Sequence, residues 1–308
     1  MIARSRRRVA ALSALSALVA LAAGAGVLLA AGAGSPLHAQ AMGPAAAAIG
    51  AAGFTLEGER TQGGWLRGIA PSGTLALSLD GAPVALDASG HFIVAFDRDA
   101  PPQATLVAEL DGGRRLTQAL AISPRAWRIE RVGVGPRPGA APSEEFQRRR
   151  AAELAQINAA RKLANDVGGW RQKFIWPVRG RLSGLFGSQR IYNGTPGSYH
   201  SGADVATGET GTPFVAPADG VVILAAASPF TLEGNLLMID HGMWLNSAFL
   251  HCSALMVKAG DRVRQGQLIG RIGATGRATG PHLHWSIKWR QARLDPILFA
   301  GPMPGAKP

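Results

Sequence analysis

Short apolar runs, broken every few residues by glycine, proline or aspartate, fill most of this chain and leave room for few long helices. Leu75, Leu77 and Leu79 alternate with Ala76, Ser78 and Asp80. Further on, Val221-Val222-Ile223-Leu224, Leu236–Ile239, Ala248–Leu250 and Leu268-Ile269-Gly270 are each too brief for a helix. Side chains that change face every residue, between turn-forming residues, predict β-strands. With 40 glycines and 20 prolines in 308 residues, the chain has the punctuation a many-stranded fold needs. A mainly β protein is therefore expected.

The first 41 residues stand apart as a signal peptide. Arg4, Arg6, Arg7 and Arg8 form a basic start, Val9 to Ala31 is uncharged and mostly apolar, and Ala39-Gln40-Ala41 matches a cleavage site. The apolar run is also long enough to serve as a retained membrane anchor if it is not cut. Either way the chain is exported, to a periplasm or cell envelope, with the inner membrane as the place of any anchor. Removing residues 1–41 takes away four arginines and no acid, so the formal charge falls from +12 to +8. A basic exported protein suits an anionic partner, such as a cell wall or membrane surface. No arginine-rich stripe with interleaved aromatics occurs, which argues against nucleic acid. The lone cysteine, Cys252, can form no internal disulfide, so the fold must stand on its core or on a metal. Beside His251 in a strand, Cys252 should face the other way and act as a small buried apolar residue.

Residues 42–53 form a linker, and 54–130 a first domain. Asp80-Gly81, Ser89-Gly90 and Asp111-Gly112-Gly113 are turn signals at the regular spacing of a small immunoglobulin-like β-sandwich. It carries no catalytic cluster, and His91 should be a surface or edge residue. Residues 131–173 hold a second linker and a helix over about 143–166. Ser143 is its N-cap, followed by Glu144 and Glu145 in the first turn. Phe146, Leu154 and Ile157 mark an apolar side, and Arg148, Arg149, Arg150, Arg161 and Lys162 a solvated one. A connecting helix packed on the next domain is favoured over a basic arm. Residues 174–300 are a second β domain, and 301–308 a tail.

That second domain holds five of the seven histidines: His200, His241, His251, His282 and His284. His282 and His284 lie in a predicted strand, so both imidazoles share one face while Leu283 and Trp285 take the other. In His200-Ser201-Gly202-Ala203-Asp204 an extended backbone would put His200 and Asp204 on one side, with space left at Gly202. One further histidine from a facing strand completes two nitrogens and one oxygen. Three protein ligands with an open fourth position is the pattern of a catalytic zinc. The histidines left over are available for proton transfer. HExxH and GxSxG do not occur, so helical zinc peptidases and serine hydrolases are disfavoured.

Tyr199-His200-Ser201-Gly202-Ala203-Asp204, Gly211-Thr212-Pro213, Ala216-Pro217-Ala218-Asp219-Gly220 and Gly273–Gly280 leading into Pro281-His282-Leu283-His284 appear in that order. Together they closely resemble the lysostaphin/LytM-like zinc endopeptidases over residues 174–300. The resemblance implies a compact antiparallel β peptidase domain of the duplicated hybrid motif or barrel-sandwich type, with a groove over one zinc ion per chain. It implies hydrolysis of peptide bonds in bacterial peptidoglycan. His200, Asp204 and His284 would be the zinc ligands, His282 the general base and His251 a second catalytic histidine, with His282 and His251 able to exchange roles. His241 matches a structural position. Asn246-Ser247-Ala248-Phe249 departs from the family's usual Thr-x-Tyr pattern ahead of His251, which affects the groove lining rather than the metal. The loop from Arg190 to Tyr199 would border the cleft. Peptidoglycan is then the partner, with no small-molecule cofactor. The alternatives are a metal-free relative that activates other wall hydrolases, and a lipoyl- or biotinyl-type carrier domain. A carrier gives the histidines no role.

Overall fold

In the computed structural model, residues 53–133 and 143–305 are described, together with the backbone of 48–49. The predicted signal or anchor segment, most of the first linker and residues 134–142 and 306–308 lie outside them. The mainly β class expected from the sequence is what the chain forms. Among the described residues no helix is long and apolar enough to cross a membrane.

Residues 54–122, together with the short strand at 48–49, form two antiparallel four-stranded sheets. One contains Thr55–Gly58, Trp65–Ile69 and His91–Ala95, with the short strand Ala48–Ile49 at its edge. The other orders Ala82–Val84, Thr74–Leu79, Gln103–Leu110 and Arg115–Ala121. In Gln103–Leu110 the alternation is complete, with Ala104, Leu106, Ala108 and Leu110 buried and the residues between them turned outward. Asp80 and Gly81 both take positive φ, 48° and 80°, the conformation a two-residue hairpin needs. One expectation fails locally. A register shift between Thr74 and Ala76 turns Leu75 out to 70% exposure while Leu77 stays in the core. His91 begins an edge strand and lies 3.5 Å from Asp87.

Helix α1 spans Glu144–Ala160. Ser143 Oγ accepts from the Phe146 amide at 3.1 Å, and Glu144 and Glu145 occupy the first turn, as the sequence predicts. The solvated side differs from expectation. Arg150 and Arg161 turn inward, and Leu154 is 41% exposed. Ion pairs cause this for Arg150. Its guanidinium binds Glu233 through two bonds of 2.6 and 2.7 Å and also reaches Glu153, itself buried under Thr231.

Beside a three-stranded sheet of Pro213–Val215, Leu268–Arg271 and Ala254–Leu255, the second half is built on one eight-stranded antiparallel sheet. Its strands are β1 (Arg181–Gly184), β2 (Ala203–Ala206), β3 (Gly220–Ala225), β4 (Asn235–Asp240), β5 (Leu245–Cys252), β6 (Arg262–Val263), β7 (Leu283–Trp289) and β8 (Ala292–Leu294). They lie side by side as β1-β2-β7-β5-β4-β3-β6, with β8 also on β7. Period-2 alternation gives this sheet two different faces. On one, Ala203, Val205, Phe249, Leu283, Trp285 and Ile287 are shut into the main core. On the other lie Asp204, Leu250, His284, Ser286 and Lys288. Ile157 and Ala160 of α1 cover the β3–β5 part of that second face, over Ile223, Leu236, Met238 and Ala248. The loop from Arg190 to Tyr199 is largely a hairpin, and its strand Gln189–Tyr192 pairs in parallel with Ile129–Val132.

Candidate metal centre and active site

Register alone brings Asp204 and His284 together. They are directly opposed across β2 and β7, with Leu250 of β5 opposite His284 on the other side. Opposed residues in an antiparallel pair hold their Cβ atoms only about 5 Å apart. His200 enters from the turn before β2. Its Nε2 lies 3.0 Å from Asp204 Oδ1 and 3.1 Å from His284 Nδ1, while His284 Nδ1 lies 2.8 Å from Asp204 Oδ1. Three donor atoms thus form a small triangle, and it is the one such group of histidine, cysteine or acidic ligands found among the described residues.

Glycines keep the triangle clear. A Cβ on Gly202 would stand 2.8 Å from His284 Nε2 and 2.4 Å from the Trp285 carbonyl. A Cβ on Gly184 would overlap the Asp204 carboxylate. Space for the ligands, and not backbone freedom, is what these two positions require.

Hydrogen bonds at the outer nitrogens fix the imidazoles. His200 Nδ1 donates to the Leu185 carbonyl at 3.1 Å, His251 Nδ1 to Thr275 at 2.8 Å, and His282 Nδ1 to Gly280 at 2.9 Å. A neutral imidazole that donates through Nδ1 keeps its lone pair on Nε2. His282 Nε2 lies 3.8 Å from Asp204 Oδ1, and the His251 and His282 rings are 4.9 Å apart. One carboxylate and several imidazole lone pairs therefore converge on one point. Such a donor set suits a borderline-soft divalent ion such as zinc, and outer-nitrogen bonds of this kind orient metal-binding histidines.

Charge follows the same logic. Burial would raise the Asp204 carboxyl, but hydrogen bonds from His200 and His284 and their charge outweigh it and hold it far below the usual carboxylate range. Burial works against a charge on His200, yet Asp204 prevails and raises its pKa. Burial lowers both His284 and His251, helped by neighbouring imidazoles.

His251 shows a feature the sequence does not signal. It has φ of +64° at a register shift between β4 and β5, so a bulge aims its ring at the cluster. Cys252, next to it, is fully buried, and burial pushes its thiol up to about 12. It is an inert core residue and no nucleophile.

His241 lies apart from this cluster. It donates through Nδ1 to the Asp219 carbonyl at 2.8 Å and accepts from Ser247 Oγ at 2.8 Å, and Trp285 Nε1 donates to the same hydroxyl. Burial pushes it down to about 4. A folded-state pKa below the unfolded value of about 6.5 means stability is full above that pH and is lost as pH falls toward 4. The loss should be on the order of 3 kcal/mol. Thermal unfolding from pH 8 to 4 should show it, and His241→Gln, which cannot protonate, should have a flatter profile.

The match to known proteins falls on this region. Residues 198–296 fit the model of peptidase family M23, a span that includes His200, Asp204, His251, His282 and His284. This part of the chain is an M23 peptidase domain. A Pseudomonas aeruginosa protein assigned to peptidase M23 has a crystal structure that aligns with TM-score 0.60 and 27% identity, over 79% of this chain and 96% of that one. Among curated relatives, peptidoglycan DD-endopeptidase ShyA of Vibrio cholerae is 35% identical over 138 residues, 44% of this chain and 31% of ShyA. DD-carboxypeptidase/endopeptidase Mpg of Neisseria meningitidis is 38% identical over 143 residues, 46% of this chain and 32% of Mpg. The chain thus spans about a third of the length of these two relatives.

Sequence reasoning missed the groups beside the M23 centre. Arg161 of the α1 C-cap, Lys288 of β7 and Arg293 of β8 border a cavity of about 230 Å³ that reaches His284. Lys288 could have been placed there, since it shares the parity of His284 in one strand. Arg161 could not, because its inward turn depends on tertiary packing.

Proposed function

We propose that this chain is an exported zinc metalloendopeptidase that hydrolyses peptide bonds in bacterial peptidoglycan. The observation that carries this reading is the triangle of His200 Nε2, Asp204 Oδ1 and His284 Nδ1, with edges of 2.8 to 3.1 Å. These three residues would hold one zinc ion. Bound there, zinc supplies Lewis-acid polarisation of a carbonyl and a nucleophilic water at neutral pH. His282 and His251 are the proton carriers. Each has Nδ1 committed to a backbone carbonyl, so each takes up or gives back a proton at Nε2. His282, nearer Asp204, is assigned as the base, and His251 as the group that serves the developing oxyanion or the leaving amine.

The relatives named as DD-endopeptidases support a peptidoglycan cross-link as the substrate, and the signal-like start of the chain supports an envelope location. The rival reading, a metal-free activator of other hydrolases, is disfavoured by a complete donor set. One experiment tests the choice. The full chain should purify with about one zinc per molecule and release peptides from purified cell wall, with new amino termini identified by mass. Chelation should stop release, and added zinc should restore it. A protein that carries no zinc and cuts no wall peptide would sink this reading.

A further inference from the structure

The cleft does not end at the metal triangle. Along β7, Ser286 and Lys288 follow His284 on the same face, and Lys288 stands opposite Arg293 of β8. Helix α1 makes the facing wall with the stripe Arg150, Leu154, Ile157 and Arg161, spaced as one side of a helix. Arg150 is neutralised by Glu233 and Glu153. Arg161, Lys288 and Arg293 are not matched in this way. Arg161 makes no ion pair among the described residues, and its Nε is buried with no hydrogen-bond partner. Lys288 Nζ has only Gln291 Oε1, at 3.4 Å. Asp97 is the one carboxylate that acts on Lys288 and Arg293. It already accepts from the Arg293 amide at 2.8 Å and the Tyr199 hydroxyl at 3.3 Å. Glu233, already paired with Arg150, acts on Arg161. Three cations therefore face two carboxylates, each already engaged by another group.

Such a cluster is costly unless an anion joins it. Burial, reinforced by Arg161 and Arg293, pushes Lys288 down to about 8. A cation at the C-terminus of α1 is favoured by the helix dipole. That explains a charge at Arg161, but not its inward course beside two further cations.

We infer that Arg161, Lys288 and Arg293 form a carboxylate-binding pocket, which holds a free carboxylate of the wall peptide away from the bond that is cut. This rests on the peptidase reading of the adjoining site. Lys288 lies four residues beyond His284, roughly 13 Å along the strand. An extended peptide advances about 3.3 Å per residue, so the carboxylate sits some three or four residues from the centre, or at the tip of a long branch. That is too far for the leaving residue's own α-carboxylate. The pocket selects a branched or continuing peptide, and its three residues position substrate and take no part in the chemistry.

The test is binding, measured by calorimetry on the full chain. The probes are a wall tetrapeptide containing a diamino acid, the same peptide amidated at its C-terminal carboxylate, and the same peptide amidated at its side-chain carboxylate. Amidating the carboxylate that occupies the pocket should weaken binding by about tenfold or more, as for a lost charge-assisted contact. The other amidation should have little effect, which identifies the source. Arg161→Gln and Lys288→Gln should each erase the difference, with zinc content unchanged and the unfolding temperature no lower than that of the wild type. The difference should survive chelation, because none of the three cations belongs to the metal donor set. Equal binding of all three probes by the wild type needs no variant to interpret, and it overturns the pocket. So does a preference that both variants keep and chelation abolishes, because the carboxylate would then lie on the metal. If the preference behaves as expected but the zinc-loaded chain cleaves no wall peptide, the peptidase reading fails and the pocket stands.

Discussion

Replacing Asp204 by alanine is expected to abolish metal retention and peptide cleavage together. Asp204 Oδ1 is the shared corner of the triangle, within 3.0 Å of His200 Nε2 and 2.8 Å of His284 Nδ1. Its loss leaves two imidazoles and no anionic ligand, too few to hold a catalytic zinc against dilution. Because the catalysed advantage goes with the metal, the rate should fall on the order of 10⁴-fold or more, within the span enzymes cover. Metal analysis and release of peptides from cell wall check both halves. Stability gives an independent reading. Zinc should raise the unfolding temperature of the wild type, as any ligand of the native state does, and leave Asp204→Ala unmoved. In metal-free protein the carboxylate itself contributes, since its folded pKa is depressed. That contribution is complete above the unfolded value of about 4 and is lost as pH falls below it. The gap between metal-free wild type and Asp204→Ala should therefore narrow in acid. Full cleavage by an Asp204→Ala protein that holds no zinc would end the metal mechanism.

What was legible in the sequence was whatever a strand's period determines. His282 and His284 flank Leu283, so they had to share a face, and Asp204 meets His284 because two regular strands place them in register. The buried alternation of Gln103–Leu110 and the Asp80-Gly81 turn follow equally from local rules. Departures from regularity were hidden. The bulge that exposes Leu75 and the positive φ of His251 each insert an irregularity that no composition pattern marks. Long-range partners were hidden too. Ile129–Val132 does not pair with the strand just before it in sequence, Arg115–Ala121, but in parallel with the distant Gln189–Tyr192.

Helix α1 shows the limit of amphipathic reading. Spacing put every arginine on the water side, where an isolated helix would keep it. The folded chain supplies Glu233 for Arg150 and a cationic recess for Arg161, so two of those arginines line the cleft. A helix that looks like a connector by pattern thus forms a wall of the site. Arg161 was invisible for the reason that makes it informative: its charge is not solvated where a sequence would place it.

Replacing His251 should separate chemistry from metal binding. Its Nδ1 is tied to the Thr275 carbonyl and its ring stands 4.9 Å from that of His282, outside the ligand triangle. Zinc content should therefore persist, and KM should change little, while kcat falls by about 10²- to 10³-fold, the worth of a positioned acid or base. Alanine alone is an ambiguous substitution, because residue 251 has φ of +64°. A side chain without local hydrogen bonding tolerates that region poorly, at a cost of roughly 1 kcal/mol or more. Asparagine adopts it readily and carries no proton-transfer group. If chemistry is the cause, His251→Ala and His251→Asn should lose the same factor in kcat although only the former loses stability. If His251→Asn kept full activity, the bulge would matter and the imidazole would not, and His282 would have to carry both proton transfers.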